Sequence, residues 1–391
     1  MVEIINGDCR EVLKTMPDCS VHCCVTSPPY FGLRDYGVAG QLGLEQTPEQ
    51  YVAEMVAVFR EVRRVLRDDG TLWLNLGDSY AAQRGGTHQP AKTLAGGKGG
   101  KTADGARVNR DRYDGYNPTR NAHAIGLKHK DLIGIPWRVA FALQADGWYL
   151  RQDIIWSKPN PMPESVKDRC TKAHEYLFLL SKSPRYYFDS EAIKEPSAQP
   201  HRAGGLERSF STSDQKVSLR QDVGRTVMRT EHRNRRSVWT VSTKPFKGAH
   251  FATFPPDLIK PCILAGCPQQ CCAACGAPHK RLTSRGVDAK HVAPSEIDRF
   301  GTGQAGVHRK VGQAYQNWLN ENPIRTVGWQ PSCDCDAGAV GGTVLDPFGG
   351  SGTTGEVAAG NGRNAILIEL NASYCSLAKS RNGLFCQQGV V

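Results

Sequence analysis

No run of the 391 residues stays apolar for the length that a bilayer-spanning helix needs, so no such helix is expected. The opening residues, Met1-Val2-Glu3-Ile4-Ile5-Asn6-Gly7-Asp8, lack the basic segment and apolar run of a secretory signal, and a cytosolic enzyme is the expectation. Acidic residues are in short supply: 38 Asp and Glu stand against 49 Lys and Arg, a formal net charge of +11. That balance suits a polyanionic partner such as nucleic acid, although many basic proteins bind none. The hydrophobic share is 39%, ordinary for a globular chain, which argues against wholesale disorder. No internal repeat is present, which removes solenoids and propellers. Cysteine is not lacking: there are 14, and in a reducing compartment they read as thiols or metal ligands rather than disulfides.

Several familiar signatures are missing too. The glycine-rich turn at Asp346-Pro347-Phe348-Gly349-Gly350-Ser351-Gly352-Thr353-Thr354 has no Lys after its last glycine, so it is not a Walker loop. It also lacks the GxGxxG spacing of dinucleotide folds. His174-Glu175 lacks the second His of HExxH, which leaves core packing or loop positioning as its expected role.

What is present reads as α/β. Val2–Ile5 and Val21–Thr26 are strand-like, and Ser27-Pro28-Pro29-Tyr30 ends the second, because two prolines stop a ladder. Thr47 and Pro48 mark a helix start, and Val52, Met55, Val56, Phe59, Val62 and Leu66 recur at helical spacing as far as Asp69-Gly70. Thr71–Leu76 is the next strand, 131–150 a helix, Leu150–Trp156 and Glu175–Leu180 strands, and Gly342–Leu370 a strand–loop–helix–strand unit. Residues 81–130 are rich in Gly, Lys and Arg and read as a flexible basic insertion. Residues 195–245 are again polar and basic.

Two constellations carry chemistry. The glycine turn lies between a strand and a helix start, where backbone N–H groups are free, and the next strand ends at Glu369, an acid placed to accept from ribose hydroxyls. Together they suggest an adenosine cofactor, with an ordinary tight βα turn and a surface Glu as the alternative. In Ser27-Pro28-Pro29-Tyr30, the Ser hydroxyl and a prolyl carbonyl, that of Pro28, offer two acceptors to the hydrogens of a poorly nucleophilic ring amine. The diproline holds them rigid, and Tyr30 can stack on an extruded base. A strand-ending turn with a packed Tyr is the alternative.

The pair SPPY and DPFGGSGTT, in that order, resembles the amino-methylating DNA methyltransferases of the N4-cytosine/N6-adenine family, in the order of its β group. Asn6-Gly7-Asp8-Cys9, Ile154–Asn160, Thr171–Tyr176 and His250–Pro255 are similar to further elements of that family. The resemblance implies a Rossmann-like S-adenosylmethionine-dependent fold, a mostly parallel seven-stranded sheet with helices on both faces. It implies catalysis by Ser27, Pro28, Pro29 and Tyr30, and cofactor contacts from Asp8, Asp346, Phe348, Gly350, Ser351, Gly352, Thr353 and Glu369. Residues 1–80 and 131–195 would form the catalytic part and 248–391 the cofactor-binding part. Residues 196–247 would recognise the target, with Trp239 and the preceding arginines as candidates for base or phosphate contact. The partner implied is double-stranded DNA in a bacterial nucleoid or a phage-infected cell, with no membrane. A homodimer and a cognate restriction endonuclease stay open. Ser at the first motif position resembles the N4-cytosine enzymes, with N6-adenine the alternative.

A Cys-rich insertion over 262–336 lies outside that resemblance. Cys272-x-x-Cys275 and Cys333-x-Cys335 can close a tetrahedral structural zinc site that staples it, with Cys271 a competing ligand. Cys23 and Cys24 read as small core residues. The rivals are a methyltransferase of RNA or protein amides, against which the motif order argues, and a non-catalytic zinc-stapled DNA-binding protein on the same scaffold.

Overall fold

The computed structural model describes residues 1–82, 122, 125–196, 232–243, 254–284 and 325–386. Most of the basic insertion, most of the 196–247 region and His250–Thr253 lie outside the described residues. The chain divides into two units. One comprises Met1–Asp189, Arg236–Pro278 and Cys335–Val391, and the other Ser190–Arg235 and His279–Asp334.

The first unit is built on one sheet. Its strands are β1 (Val2–Asn6), β2 (Val21–Thr26), β3 (Leu66–Leu76), β4 (Tyr149–Ser157), β5 (His174–Ser181), β8 (Val238–Thr240), β13 (Thr343–Asp346) and β14 (Asn364–Glu369). Their spatial order is β1-β14-β13-β2-β3-β5-β4-β8. Pairing is parallel from β1 through β3 and antiparallel where β5 meets β3 and β4. The sheet is mostly parallel, as expected, but has eight strands among the described residues rather than seven. The eighth, β8, is three residues long and pairs parallel with β4. Too short to show a period-2 pattern, it could not be found by alternation.

Burial explains the central strand. All six residues of β2 are buried, as expected for a parallel strand covered on both faces. Cys24, Leu72 and Leu74 pack with Tyr51, Phe59, Val62, Val139 and Leu143 of the helices α2 (Pro48–Val65) and α3 (Ile135–Ala145). Cys23, Thr71 and Trp73 point the other way, towards α4 (Pro256–Gly266). There a Cβ on Gly266 would lie 2.5 Å from both Thr71 Oγ1 and Trp73 Nε1. The two sulfur atoms are core matter, and burial pushes the Cys23 thiol up to about 12.

The ends of α2 and α3 and the start of β3 differ from the sequence expectation. Helix α2 stops at Val65 and β3 begins at once, with Leu66 already extended; within β3 a Cβ on Gly70 would lie 2.9 Å from Arg67 O and 3.2 Å from His22 O. Helix α3 starts at Ile135, after Gly134 at φ +79, and ends before Asp146-Gly147, so it is shorter than 131–150. Asp78 caps its start, accepting from the backbone N–H of Gly134 and Ile135. The basic insertion leaves and returns at one place: Ala81 N–H donates to Asp131 O, and Lys130 N–H to Ala81 O.

Trp239 corrects a second expectation. It is 4% exposed, packs 6.5 Å from Trp73, lies opposite Trp156 in register and donates its indole N–H to Arg236 O. It is a core residue of the sheet edge and cannot reach a base.

In the second unit, β6 (Glu195–Pro196) pairs with β7 (His232–Arg233), where Arg233 bonds Glu195 at 2.8 Å. A ribbon of β10 (Lys280–Ser284) and β11 (Arg325–Gln330) carries Arg281 over the Trp329 ring at 4.6 Å.

Candidate active site

Because β2, β13 and β14 run parallel, their carboxyl ends share one edge of the sheet, where ligands bind in open α/β folds. Ser27–Tyr30 follows β2 and the glycine turn follows β13. A buried carboxylate joins the two: Asp346 accepts from Thr26 Oγ1 at 2.6 Å, from Thr354 Oγ1 at 2.6 Å and from Phe348 N–H at 3.1 Å. Burial pushes its pKa up to about 6, against the pull of those three donors. Its oxygens face the protein, so Asp346 shapes the loop.

The glycine turn is ordered from both sides. Gly350 (φ +50) donates its N–H to Glu369 Oε2 at 2.8 Å, and Asn371 N–H donates to Glu369 Oε1 at 2.8 Å. The Leu370 N–H also acts on this carboxylate, so three backbone donors share its four lone pairs and one position stays open for a hydroxyl. Burial raises the Glu369 pKa. A Cβ on Gly350 would meet nothing nearer than Phe348 O at 3.9 Å, so space is open there, beside the half-buried Phe348. Gly352 (φ +81) caps α5 (Thr353–Gly360), and its Cβ would collide with Asn382 Nδ2 at 2.5 Å. Ser351 and Thr353 are buried and turn their hydroxyls towards Arg381 Nη1, at 3.1 and 2.7 Å; only their backbone can face the turn. Asp8 caps α1 (Cys9–Thr15) and is held by Arg10, Nη2 to Oδ2 at 2.6 Å, which keeps its pKa low.

The Ser27–Tyr30 loop is fixed by neighbours the motif does not reveal. Tyr51 of α2 donates its hydroxyl to Pro29 O at 2.9 Å, so the Pro28 carbonyl is the prolyl acceptor not engaged in this way. Tyr30 Oη lies 2.8 Å from Glu175 Oε2 and 3.1 Å from Asn75 Oδ1, and Ser27 Oγ lies 3.4 Å from it. Glu175 also pairs with Lys158, whose ammonium sits 4.3 Å from the Trp156 ring centroid. Gly77 abuts the Tyr30 ring, where a Cβ would be 2.4 Å from Cε2. Glu175 thus touches the loop through Tyr30 and Lys158 through its other oxygen. Asn75 and Lys158 were not legible: only the antiparallel pairing of β4 and β5, which sets Ser157 opposite His174, brings the lysine to the glutamate.

A separate cluster gathers Cys272, Cys275, Cys333 and Cys335, whose sulfur atoms all lie within 4.8 Å of one another. Cys272 ends β9 (Cys271–Cys272), paired with β12 (Ala339–Val340), and Gly276 takes φ +69 in the turn. Cys271 lies apart, its sulfur on Val340 O at 3.4 Å. Buried His22 Nε2 contacts Gly276 O at 2.9 Å, its Nδ1 accepts from Thr343 N–H at 3.0 Å, and Arg67 donates to Cys275 O at 2.6 Å.

The geometry describes an α/β enzyme with a rigid polar loop beside a glycine cradle. Comparison with known proteins says which kind. The model of the N6/N4 DNA methylase family matches residues 21–270 and 335–380. Type II methyltransferase M.XycI of Xanthomonas campestris pv. cyanopsidis is 40% identical over 378 residues, 97% of this chain and 86% of that protein. Type II methyltransferase M.SmaI of Serratia marcescens is 39% identical over 380 residues, covering 97% and 90%. Type II methyltransferase M.Cfr9I of Citrobacter freundii is 48% identical over 268 residues, covering 67% and 71%. The chain belongs to the N6/N4 DNA methylase family: it is an S-adenosylmethionine-dependent DNA methyltransferase. No helix among the described residues is long and apolar enough to cross a membrane.

Proposed function

We propose that the protein methylates N4 of cytosine in double-stranded DNA, as the modification arm of a type II restriction-modification system. The type II reading rests on the relatives named above. The base choice rests on Ser27 standing first in the SPPY loop, with its hydroxyl on the same polar cluster as Tyr30. S-adenosylmethionine, when bound, supplies a methyl on a sulfonium that leaves readily as a thioether. The residues present suit it: Glu369 keeps an acceptor position for a ribose hydroxyl, Gly350 opens space, and half-buried Phe348 can cover a flat ring. Gly352 and the backbone of Ser351 and Thr353 hold the turn, Asp346 locks it to the catalytic loop, and Asp8 with Arg10 borders the cradle.

The target amine is paired within the duplex, so the base must be extruded before it can react. Ser27 Oγ and the Pro28 carbonyl accept the two amine hydrogens, which localises the nitrogen lone pair for attack; once methylated, the nitrogen gives up one of those protons to water. Pro28 and Pro29 fix those acceptors, and Tyr30 packs against the base. The protein's contribution is positional, which is worth several kcal/mol, on the order of 7–11 in the best-oriented intramolecular systems. The four-cysteine cluster has the ligand set of a structural zinc site.

Tritium transfer from labelled S-adenosylmethionine to DNA tests the residue roles. Ser27→Ala and Tyr30→Ala should each abolish transfer while cofactor binding persists. A fully active double variant would remove this loop from the chemistry.

A further inference from the structure

A serine hydroxyl can donate or accept, so Ser27 by itself does not say which face it shows a substrate. Its neighbours decide this. Tyr30 Oη has one hydrogen to give, and two groups beside it can only take. One is Glu175 Oε2 at 2.8 Å, on a carboxylate whose other oxygen is paired with Lys158. The other is Asn75 Oδ1 at 3.1 Å. The Asn75 amide cannot be turned round without loss, because its Nδ2 donates to Tyr176 O at 3.0 Å and faces Glu175 Oε2 at 3.3 Å. Burial and the nearby Glu175 charge push the Tyr30 pKa far up, so that hydrogen stays in place. With its hydrogen committed to these acceptors, Tyr30 Oη offers Ser27 only lone pairs. Ser27 Oγ, 3.4 Å away, can therefore bond to it only as the donor.

The geometry points to Glu175, with Asn75, as positioning residues that set the hydrogen-bond direction of Ser27 through Tyr30, so that Ser27 presents only lone pairs to the target base. This rests on the reading that Ser27 faces the target amine. Its consequence is selectivity for chemistry rather than shape. A base edge bearing N–H is accepted, whereas the O4 carbonyl of thymine would meet lone pair against lone pair. The carboxylate never touches the substrate, and its negative charge is felt two hydrogen bonds away.

A double-mutant cycle on the full chain tests this, using single-turnover methyl transfer to duplex DNA with Ser27→Ala as reference. Glu175→Gln should lower the rate about 10- to 100-fold, by analogy with partners that orient metal-binding side chains. KM for S-adenosylmethionine and the melting temperature should stay close to wild type. Tyr30→Phe, which keeps the ring and removes Oη, should show a similar loss, and adding Glu175→Gln to it should cost nothing more. A wild-type rate in either single variant, or additive losses in the double, overturns the inference. If Glu175→Gln does not fold, Tyr30→Phe alone still decides, since a wild-type rate would refute the relay. A fully active Ser27→Ala would instead show that the underlying assignment of Ser27 had failed.

Discussion

Asp346 shows how one side chain can serve two motifs. Its carboxylate is buried beneath the site and holds Thr26, Thr354 and the Phe348 backbone at once, so the catalytic and cofactor loops share one anchor. That arrangement has a pH signature. The folded state raises its pKa from 3.8 to about 6, so the native protein holds this proton more tightly than the unfolded chain does. Stability from this group is present below pH about 4 and is lost as pH rises to about 6, a change of about 3 kcal/mol. Asp346→Asn can keep most of the hydrogen bonds without the charge. Denaturant unfolding of both proteins across that window should show the wild type losing ground to the variant as pH rises; parallel curves would contradict the assignment. Sequence alone placed Asp346 at the cofactor, because a motif shows which residue is present and not which way its oxygens turn. The same limit hid the inward turn of Ser351 and Thr353 towards Arg381, and the burial of Trp239.

Elements were legible where local physics decides them. Thr47 caps α2 and Pro48 opens it, as the sequence says, and Val21–Thr26 is a strand from end to end. A boundary failed where a contact from elsewhere sets it, as at Gly134, which Asp78 caps, and the three-residue eighth strand pairs only with β4. At the end of β3, Gly77 leaves room for the Tyr30 ring. Gly77→Ala should leave the melting temperature within a few degrees of wild type. It should nevertheless reduce methyl transfer about 100-fold by displacing Tyr30 on the order of 1 Å; normal activity would show that the ring position is unimportant. The four cysteines singled out by their spacing lie together, and His22 and Arg67 hold their turn against the sheet. Purified protein should carry about one zinc per chain, and a chelator or Cys275→Ser should lower its unfolding temperature. Zinc-free protein whose stability ignores chelator would reject that role.

At the scale of the molecule, the net charge of +11 belongs to a chain whose substrate is a polyanion. Much of the basic sequence lies in 81–130 and 196–247, which read as insertion and target recognition. DNA affinity measured by fluorescence anisotropy should fall steeply and log-linearly with salt, by about a thousandfold or more between 50 and 200 mM if six or more phosphates are engaged. A salt-independent affinity would mean that this charge serves something else. The fold class was legible because SPPY follows a strand and DPFGGSGTT joins a strand to a helix. The sheet order was not, since it depends on which strands meet across long stretches of chain.

The central claim is that this chain places a methyl group on N4 of cytosine through Ser27. Nucleoside mass spectrometry of plasmid DNA from cells expressing the protein, beside cells expressing Ser27→Ala, tests it most directly. N4-methylcytosine present with the wild type and absent with the variant is the predicted result. N6-methyladenine in its place, or N4-methylcytosine that survives Ser27→Ala, would contradict it.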